Sequence, residues 1–144
     1  MSETTNKIII LIDDDHGPMD YFVEALRMRG FRVRHIDRVD EVFENLITDR
    51  APVAPDIFVI DLMMPHGKHF TAEQTKYGLD TGFFVIKKCR ETFPNVPILC
   101  LSNVSRQAEV KERLGAVPHV AKYEVSPFAF ADEVEELLRN SKQK

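Results

Sequence analysis

The chain has 144 residues, of which 44% are hydrophobic and 29% charged, a composition typical of one soluble globular domain. Its net charge of −4 gives no basis for nucleic-acid binding. The longest apolar runs are too short to cross a membrane, and the N-terminal MSETTNK lacks the apolar core of a signal peptide. We therefore expect a single cytoplasmic domain over residues 1–144, with its core at about 7–138, that binds neither nucleic acid nor a membrane.

The chain begins with a strand and a helix. Residues 7–12 form a continuous apolar run, typical of a strand buried on both faces, which ends in Asp13, Asp14 and Asp15. Pro18 suits the first position of a helix, and Gly30 suits its end. The apolar residues between them recur at helical spacing: Met19, Phe22, Val23 and Leu26.

A second strand and helix follow, and then a second buried strand. Residues 31–36 alternate apolar and basic side chains, as an edge strand does. Asp37 is the expected N-cap of the next helix. The stripe of that helix is Val39, Val42, Phe43, Leu46 and Ile47. After a loop at 51–55, residues 57–60 are continuously apolar and run directly into Asp61, within the segment PDIFVIDLMMP.

The second half continues the alternation. Residues 66–80 have no clear period, and helices are expected at about 82–93 and 104–114. Between and after these helices lie an apolar strand at 96–101, which closes on Ser102, and a short strand that ends on Lys122. The last helix has a Ser-Pro start and a predicted buried stripe of Phe128, Ala131, Val134, Leu137 and Leu138. Five strands alternating with five helices predict an α/β fold with a doubly wound parallel sheet and helices on both faces.

Because the carboxyl ends of parallel strands share one edge of the sheet, several polar residues should meet there. They are the three aspartates at 13–15, Asp61, Ser102 and Lys122. Crowded carboxylates repel one another, and both Mg²⁺ and the Lys122 ammonium would relieve that repulsion. A hydroxyl and a lysine beside metal-bound carboxylates can receive a phosphoryl group, with Asp61 as nucleophile. Individually these residues could instead be helix caps or surface groups, and for Asp15 a helix-capping role is favoured.

The motifs ILIDDD, PDIFVIDLMMP, PILCLSN and HVAK, in this order, resemble the receiver domain of two-component response regulators. The resemblance runs from about residue 7 to 138 and is to a stand-alone, chemotaxis-regulator-like receiver. It implies a flavodoxin-like sheet of order 2-1-3-4-5. It also implies a phosphoprotein of a two-component phosphorelay. Such a domain takes a phosphoryl group from the phosphohistidine of a histidine kinase or phosphotransfer protein, then loses it through autophosphatase activity rather than acting as a turnover enzyme.

The resemblance assigns roles by motif. Asp61 matches the phosphoacceptor, and Asp13 and Asp14 match the acidic pair that holds Mg²⁺, with Asp14 favoured as the direct ligand. The carboxylate of Asp61 and the backbone carbonyl of Met63 would complete the metal site. The remaining matches are the switch hydroxyl Ser102, the phosphoryl-binding Lys122 and, at the position of the rotating aromatic, His119. A downstream effector protein would then be expected on the face made by the fourth helix, fifth strand and fifth helix.

Three features depart from the usual receiver pattern. Tyr123 follows Lys122 where proline is usual, and Asn103 stands where a small residue is usual. Sixteen residues separate Pro65 from Gly82, so the chain carries an inserted loop at about 66–80. This insert could be a lid, a partner-docking element or a tolerated mobile loop. Its two histidines, at 66 and 69, are weak evidence for a metal site on their own.

Two other functions remain open at the sequence level. A strand that ends in Asp-x-Asp also fits a haloacid-dehalogenase-type phosphatase, with Asp13 as nucleophile and Asp15 as acid. That class needs no carboxylate at the position of Asp61 and usually has a late acidic pair, which is not found here. The third possibility is a receiver-like interaction module that is never phosphorylated, which the departures at Tyr123 and Asn103 would favour.

Overall fold

A computed structural model describes residues 6–46 and 54–142. Its single sheet is entirely parallel, with the strand order β2-β1-β3-β4-β5. The strands are β1 (Ile8–Ile12), β2 (Arg32–Ile36), β3 (Ile57–Asp61), β4 (Ile98–Ser102) and β5 (His119–Ala121). The order, the parallel pairing and the flavodoxin-like architecture expected from the sequence are confirmed.

In the described part of the chain, four helices connect the strands and a fifth follows β5. They are α1 (Gly17–Met28), α2 (Val39–Glu41), α3 (Thr81–Thr92), α4 (Gln107–Leu114) and α5 (Pro127–Lys142). Helix α2 continues as a π-helical turn over Val42–Leu46, and a 3₁₀ turn over Val104–Arg106 precedes α4. Gly30 and Gly115, which were expected to end helices, both have positive φ, at 92° and 75°.

Two apolar cores lie on opposite faces of the sheet, because alternate residues of each buried strand point to opposite sides. On one face, α1 and α5 pack together, with Phe22 and Phe130 in ring contact at 5.0 Å between centroids. On the other face, residues of α2, its π-helical turn, α3 and α4 cover Phe58, Ile60 and Cys100. Helices therefore cover both faces, as predicted, and they leave the carboxyl edge of the sheet accessible.

Two local predictions were wrong. Asp37 does not cap α2: Arg38 occupies the N-cap position, and the Asp37 carboxylate accepts a hydrogen bond from His16 instead. In α5 the buried aromatic is Phe130, whereas Phe128 is 61% exposed. The helix begins at Pro127, and this phase turns Phe130 rather than Phe128 toward Phe22. Ile47 and residues 51–53 of the expected loop lie outside the described residues.

Among the described residues, none of the helices is both long and apolar enough to span a membrane. The two cysteines, Cys89 and Cys100, are both free and buried, one in α3 and one in β4. Burial raises the pKa of each thiol to about 12, which makes both poor nucleophiles.

Candidate functional site at the carboxyl edge of the sheet

Strand register brings Asp13 and Asp61 together. Ile12 of β1 pairs with Ile60 of β3, so the next residues of the two strands, Asp13 and Asp61, leave the sheet side by side. Asp13 is fully buried and Asp61 is 4% exposed. A buried carboxylate needs hydrogen bonds or a cation, because its transfer out of water is costly. The pair therefore depends on what the neighbouring strand ends supply.

Among the described residues, Lys122, which directly follows β5, supplies the one ammonium group in contact with this pair. Its Nζ donates hydrogen bonds to Oδ1 of Asp13 at 3.0 Å and to Oδ2 of Asp61 at 3.2 Å. The same Nζ lies 3.7 Å from Oδ2 of Asp15. One buried cation is thus shared among three carboxylates, and the centre carries an excess of negative charge.

The pKa values reflect this imbalance. Burial, and then the charge of Asp13, raise the pKa of Asp61 to about 7, against the opposing effect of Lys122. Burial also raises the pKa of Asp13. For Lys122, burial lowers the pKa, but the charges and hydrogen bonds of Asp61 and Asp13 outweigh burial and raise it. Lys122 therefore stays an ammonium, while Asp61 is poised to gain or lose a proton near neutral pH.

The donor set fits a hard divalent cation. Ligand oxygens of Asp13, Asp14 and Asp61 lie within 4.8 Å of one another. Oδ2 of Asp13 is buried and accepts no hydrogen bond from any described residue, although Lys122 Nζ lies 2.9 Å away. Mg²⁺ prefers oxygen ligands and is usually held by one or two carboxylates together with water, so this all-oxygen set fits the ion. Asp14 and Met63 line the open cavity of about 440 Å³ above Asp61, so there is room for water and a phosphoryl group.

Ser102 ends β4 and lines the same cavity. Its hydroxyl lies within hydrogen-bond distance of the carbonyl oxygen of Asn103, at 3.1 Å, and of Nε2 of His119 on β5. Burial lowers the pKa of His119, which favours a neutral ring beside the hydroxyl. In the described structure, Ser102 does not cap a helix, so that alternative is not supported. The serine instead pairs with the residue at the expected position of the rotating aromatic.

Structural comparison finds close matches among known receiver domains. A CheY-like response regulator receiver domain protein from Methanospirillum hungatei superimposes with a TM-score of 0.72 at 16% identity, over 96% of this chain and 98% of that one. A receiver protein from Sinorhizobium medicae gives 0.73 at 21% identity, over 94% and 97%. The BeF₃-activated DrrB receiver domain gives 0.69 at 22% identity, over 94% and 99%. No protein-family model and no curated protein match the sequence.

This chain has the fold of a response regulator receiver domain. The resemblance inferred from the four motifs is thereby confirmed at the level of the fold. At these sequence identities the similarity shows the fold alone.

Tyr123 and Asn103, the two residues that depart from the usual receiver pattern, both lie beside the cavity above Asp61. Tyr123 is exposed, its ring centroid lies 5.3 Å from Nζ of Lys122, and its hydroxyl donates to Oδ2 of Asp15 at 3.3 Å. Oδ1 of Asp15 accepts a hydrogen bond from the backbone N–H of Gly17, the first residue of α1, at 3.1 Å. The N-cap position itself is occupied by His16, so Asp15 supports the start of the helix from one residue before the N-cap. Tyr123 and Asn103 both line the cavity above Asp61, so each narrows the approach to it.

Gly82 allows α3 to pack closely against the end of β3, whereas the sequence indicated this glycine only as the start of α3. A Cβ at this position would lie 2.1 Å from the carbonyl oxygen of Asp61 and 2.5 Å from Cα of Leu62. The Gly82 N–H donates to the carbonyl of Leu62 at 2.8 Å. Because only glycine permits this approach, α3 can lie directly against the exit of β3 and fix the backbone of Asp61.

The insert at 66–80 has internal hydrogen bonds of its own, and both its first and its last part contact the rest of the domain. Thr71 and Gln74 form a reciprocal capping box, with bonds of 2.9 and 3.0 Å between side chains and backbone N–H groups. Its first part contacts α2, where the Lys68 N–H donates to Oδ1 of Asp40 at 2.9 Å. Its last part carries Asp80, a buried carboxylate that is held from α4 and its preceding turn.

The insert also borders the site. A second cavity, of about 670 Å³, lies between them and shares Asp14 and Met63 with the cavity above Asp61. The insert contributes His66, Tyr77 and Leu79 to its wall. His66 and His69 do not appear among the described groups that could hold a metal ion. The insert therefore forms one wall of a cavity that adjoins the cavity above Asp61.

Proposed function

We propose that this protein is a phosphoacceptor signalling domain of a two-component phosphorelay, and that Asp61 receives the phosphoryl group from a phosphohistidine of a histidine kinase or phosphotransfer protein. The observation that supports this most directly is the charge imbalance around Asp61. A buried carboxylate at the end of the central strand faces one lysine and two further carboxylates within metal-ligand distance. A structural site would balance these charges internally, whereas a site for Mg²⁺ and a phosphoryl group is completed by its ligands.

The chemistry follows from the positions of the groups. An oxygen of the Asp61 carboxylate attacks phosphorus, a new P–O bond forms, the P–N bond of the phosphohistidine breaks, and the imidazole leaves with the electron pair of that bond. Lys122, 3.2 Å from Asp61, lies where it can neutralise the phosphoryl oxygens. Asp13, Asp14 and the Met63 carbonyl would hold Mg²⁺, which when bound supplies positive charge against the developing charge of the transferred group. Later attack by water on phosphorus would return the free carboxylate.

The switch would begin at Ser102. A phosphoryl group on Asp61 offers oxygens that accept a hydrogen bond more strongly than neutral His119 does. Ser102 would therefore leave His119, and the freed imidazole would reposition on β5. The surface formed by α4, β5 and α5 would change with it and be read by a downstream effector protein. We further propose that the domain spans residues 1–144, with the insert at 66–80, and acts in the cytoplasm.

The test is incubation with Mg²⁺ and a small phosphodonor, followed by intact-mass measurement. We expect wild type to gain one phosphoryl group, and Asp61→Asn to gain none under conditions in which its fold, checked by circular dichroism, is unchanged. A phosphorylated species that survives Asp61→Asn but is lost in Asp13→Asn would contradict the proposal and support the phosphatase alternative. Asp15→Asn separates the two further, because a dehalogenase-type phosphatase needs the acid and the receiver mechanism does not.

One observation favours a second function, that of an interaction module which is not phosphorylated. Tyr123 covers Lys122 and is bonded to Asp15, so it partly closes the approach to Asp61. If that closure prevails, wild type gains no mass while Mg²⁺ still binds, and Tyr123→Ala restores phosphorylation. If Tyr123→Ala also gains no mass although Mg²⁺ binds, closure by the tyrosine is not the reason and the phosphoacceptor proposal fails outright.

A further inference from the structure

A second cluster of metal-ligand side chains lies beside the phosphoacceptor site, at the carboxyl ends of β1 and β2. His16 occupies the N-cap of α1, and Asp20 lies one helical turn further on. His35 comes from β2, one residue before its end. Ligand atoms of these three residues lie within 4.8 Å of one another, and the two imidazole centroids are 4.7 Å apart. Neither the proposed phosphorylation chemistry nor the fold accounts for this grouping.

In both His16 and His35, the Nε2 nitrogen has a hydrogen-bond partner that determines which ring nitrogen carries the proton. Nε2 of His35 donates to the backbone carbonyl of Asp13 at 2.7 Å, and because a carbonyl can only accept, this nitrogen carries the proton. In a neutral ring, Nδ1 of His35 then has a free lone pair. Nε2 of His16 donates in the same way to Oδ2 of Asp37 at 2.8 Å, which leaves Nδ1 of His16 as the ligand atom.

This arrangement is the one found around metal-binding histidines, whose outer nitrogen donates to a carboxylate or a backbone carbonyl. Nδ1 of His16 faces Oδ1 of Asp20 at 3.9 Å. Two ligands at the tetrahedral angle on one zinc ion, with bonds of about 2.0–2.2 Å, are separated by roughly 3.3–3.6 Å. The separation of 3.9 Å must therefore shorten slightly, and the wider spacings in the cluster must close further. Rotation of the side chains permits this, because those of His16 and Asp20 are 56% and 69% exposed.

The donor types determine the class of ion. Two imidazole nitrogens and one carboxylate oxygen suit a borderline divalent ion such as Zn²⁺, with water as fourth ligand. Mg²⁺ prefers oxygen ligands, which the neighbouring set of Asp13, Asp14 and Asp61 provides. We propose that His16, Asp20 and His35 form a second cation site, separate from the magnesium pocket and selective for Zn²⁺ over Mg²⁺, with Asp37 and the Asp13 carbonyl orienting the two rings.

The proposal does not rest on phosphorylation of Asp61, so either can fail without the other. The experiment is a Zn²⁺ titration of the full chain by isothermal calorimetry, at mildly alkaline pH and with Mg²⁺ in large excess to occupy the acidic pocket. We expect one equivalent of Zn²⁺ to bind. In parallel ¹⁵N spectra, the imidazole resonances of His16 and His35 should shift at the first equivalent, while those of His66, His69 and His119 should not.

The variants separate this site from its neighbours. Asp20→Asn, at an exposed position where loss of folding is not expected, and His16→Gln should each weaken Zn²⁺ binding at least tenfold, as ligand losses do. Asp37→Asn, which removes an orienting group, should weaken it by about tenfold. The matched control is His69→Gln, a histidine of the insert, and Zn²⁺ affinity should not change.

Three results would each overturn the proposal. The first is Zn²⁺ binding that survives His16→Gln and Asp20→Asn but is lost in Asp14→Asn, which would place the ion in the acidic pocket. The second is stoichiometric displacement of Zn²⁺ by Mg²⁺. The third is one equivalent of bound Zn²⁺ that leaves the His16 and His35 resonances unshifted.

Discussion

Two aspartates in this molecule are equally buried but have opposite electrostatic surroundings. Asp61 is 4% exposed and Asp80 is 3% exposed. Asp61 shares a single lysine with Asp13 and Asp15, and its pKa is raised to about 7. Asp80 faces an excess of cations: Arg106 lies 2.6 Å from Oδ1, and Arg113 and Lys76 lie 3.0 and 3.7 Å from Oδ2. The two arginines are shared with one further carboxylate, that of Glu109. Burial raises the pKa of Asp80, but the two arginines outweigh burial and hold its pKa below the ordinary value.

The difference shows that burial alone does not tell a structural carboxylate from a functional one; the number of cations per carboxylate does. Asp80 is satisfied within the chain, and it joins the insert to α4. Cζ of Arg113 also lies 3.8 Å from the centroid of the Phe83 ring, so a cation–π contact holds the arginine in place beside Asp80. Asp61 lacks the charge it needs, and this deficit is the property that a site for an external cation requires.

The largest expected effect comes from breaking the balanced centre. Asp80→Asn removes the buried carboxylate partner of Arg106 and Arg113, which keep only their ion pairs with Glu109. We expect a loss of about 2–3 kcal/mol in the free energy of unfolding, less than for a fully buried pair because the arginines are partly exposed and retain Glu109. Urea denaturation measures it. Asp132→Asn, which removes an exposed partner of Arg29, should change stability by less than about 0.5 kcal/mol. A loss no larger than this control would contradict the structural role of Asp80.

The corresponding change in the unbalanced centre should have the opposite sign. Without divalent metal, Asp61→Asn removes one of three carboxylates that share Lys122 and should stabilise the protein by about 1–2 kcal/mol. Excess Mg²⁺ should cancel this gain in stability of the variant, because Mg²⁺ binding then stabilises wild type more than it stabilises the variant. If Asp61→Asn destabilises the metal-free protein, the charge-deficit interpretation is wrong.

The same contrast predicts two separate pH ranges. The pKa of Asp61 is raised from about 3.9 in the unfolded chain to about 7, so the folded state holds the extra proton and the stability of the metal-free protein falls as pH rises between these values. For Asp80 the folded pKa is lowered, so its contribution is present above the unfolded pKa and is lost as pH falls below about 4. Urea midpoints of wild type and the two asparagine variants, measured across pH, test this. If the difference in urea midpoint between wild type and each variant does not change with pH, both predicted pKa shifts are wrong.

The smallest expected effect concerns the rim of the site. Tyr123→Phe removes only the exposed 3.3 Å hydrogen bond to Asp15, and we expect less than about 0.5 kcal/mol in stability. Its ring remains near Lys122, so the affinity for Mg²⁺ should stay within about twofold, as measured by a metal titration followed by thermal unfolding. A large loss of stability would mean that the hydrogen bond from Tyr123 to Asp15 helps to hold the fold together, which contradicts its assignment to the rim of the site.

The sequence predicted the unbalanced centre better than the balanced one. Asp13, Asp61 and Lys122 each end an apolar run, and parallel strands bring such ends to one edge whatever the loops do. Asp80 meets Arg106 and Arg113 across 26 and 33 residues, through the path of an insert with no hydrophobic period. One signal in that insert was readable: the spacing Thr71-x-x-Gln74 is a capping box.

Other features required side-chain geometry. The replacement of Phe128 by Phe130 in the core depends on the phase of a helix whose two faces differ little in sequence. The pairing of His16 with Asp37 took away the expected cap of α2 and created part of the histidine cluster, and no local pattern indicates it. The fold was predictable because it depends on many apolar residues together, whereas each of these features depends on one or two contacts.

Arg106 limits how far the segment after β4 can move. Three residues, 103–105, separate Ser102 from Arg106, and such a stretch spans at most roughly 14 Å between the two Cα atoms when fully extended. Arg106 is tied to Asp80 and to the carbonyl of Leu79 at 2.5 Å. The segment is therefore a short tether with a fixed far end. If Ser102 changes partner as proposed, a displacement larger than this tether allows would require the insert to move with it or the Arg106–Asp80 ion pair to break. The ion pair would therefore oppose that step.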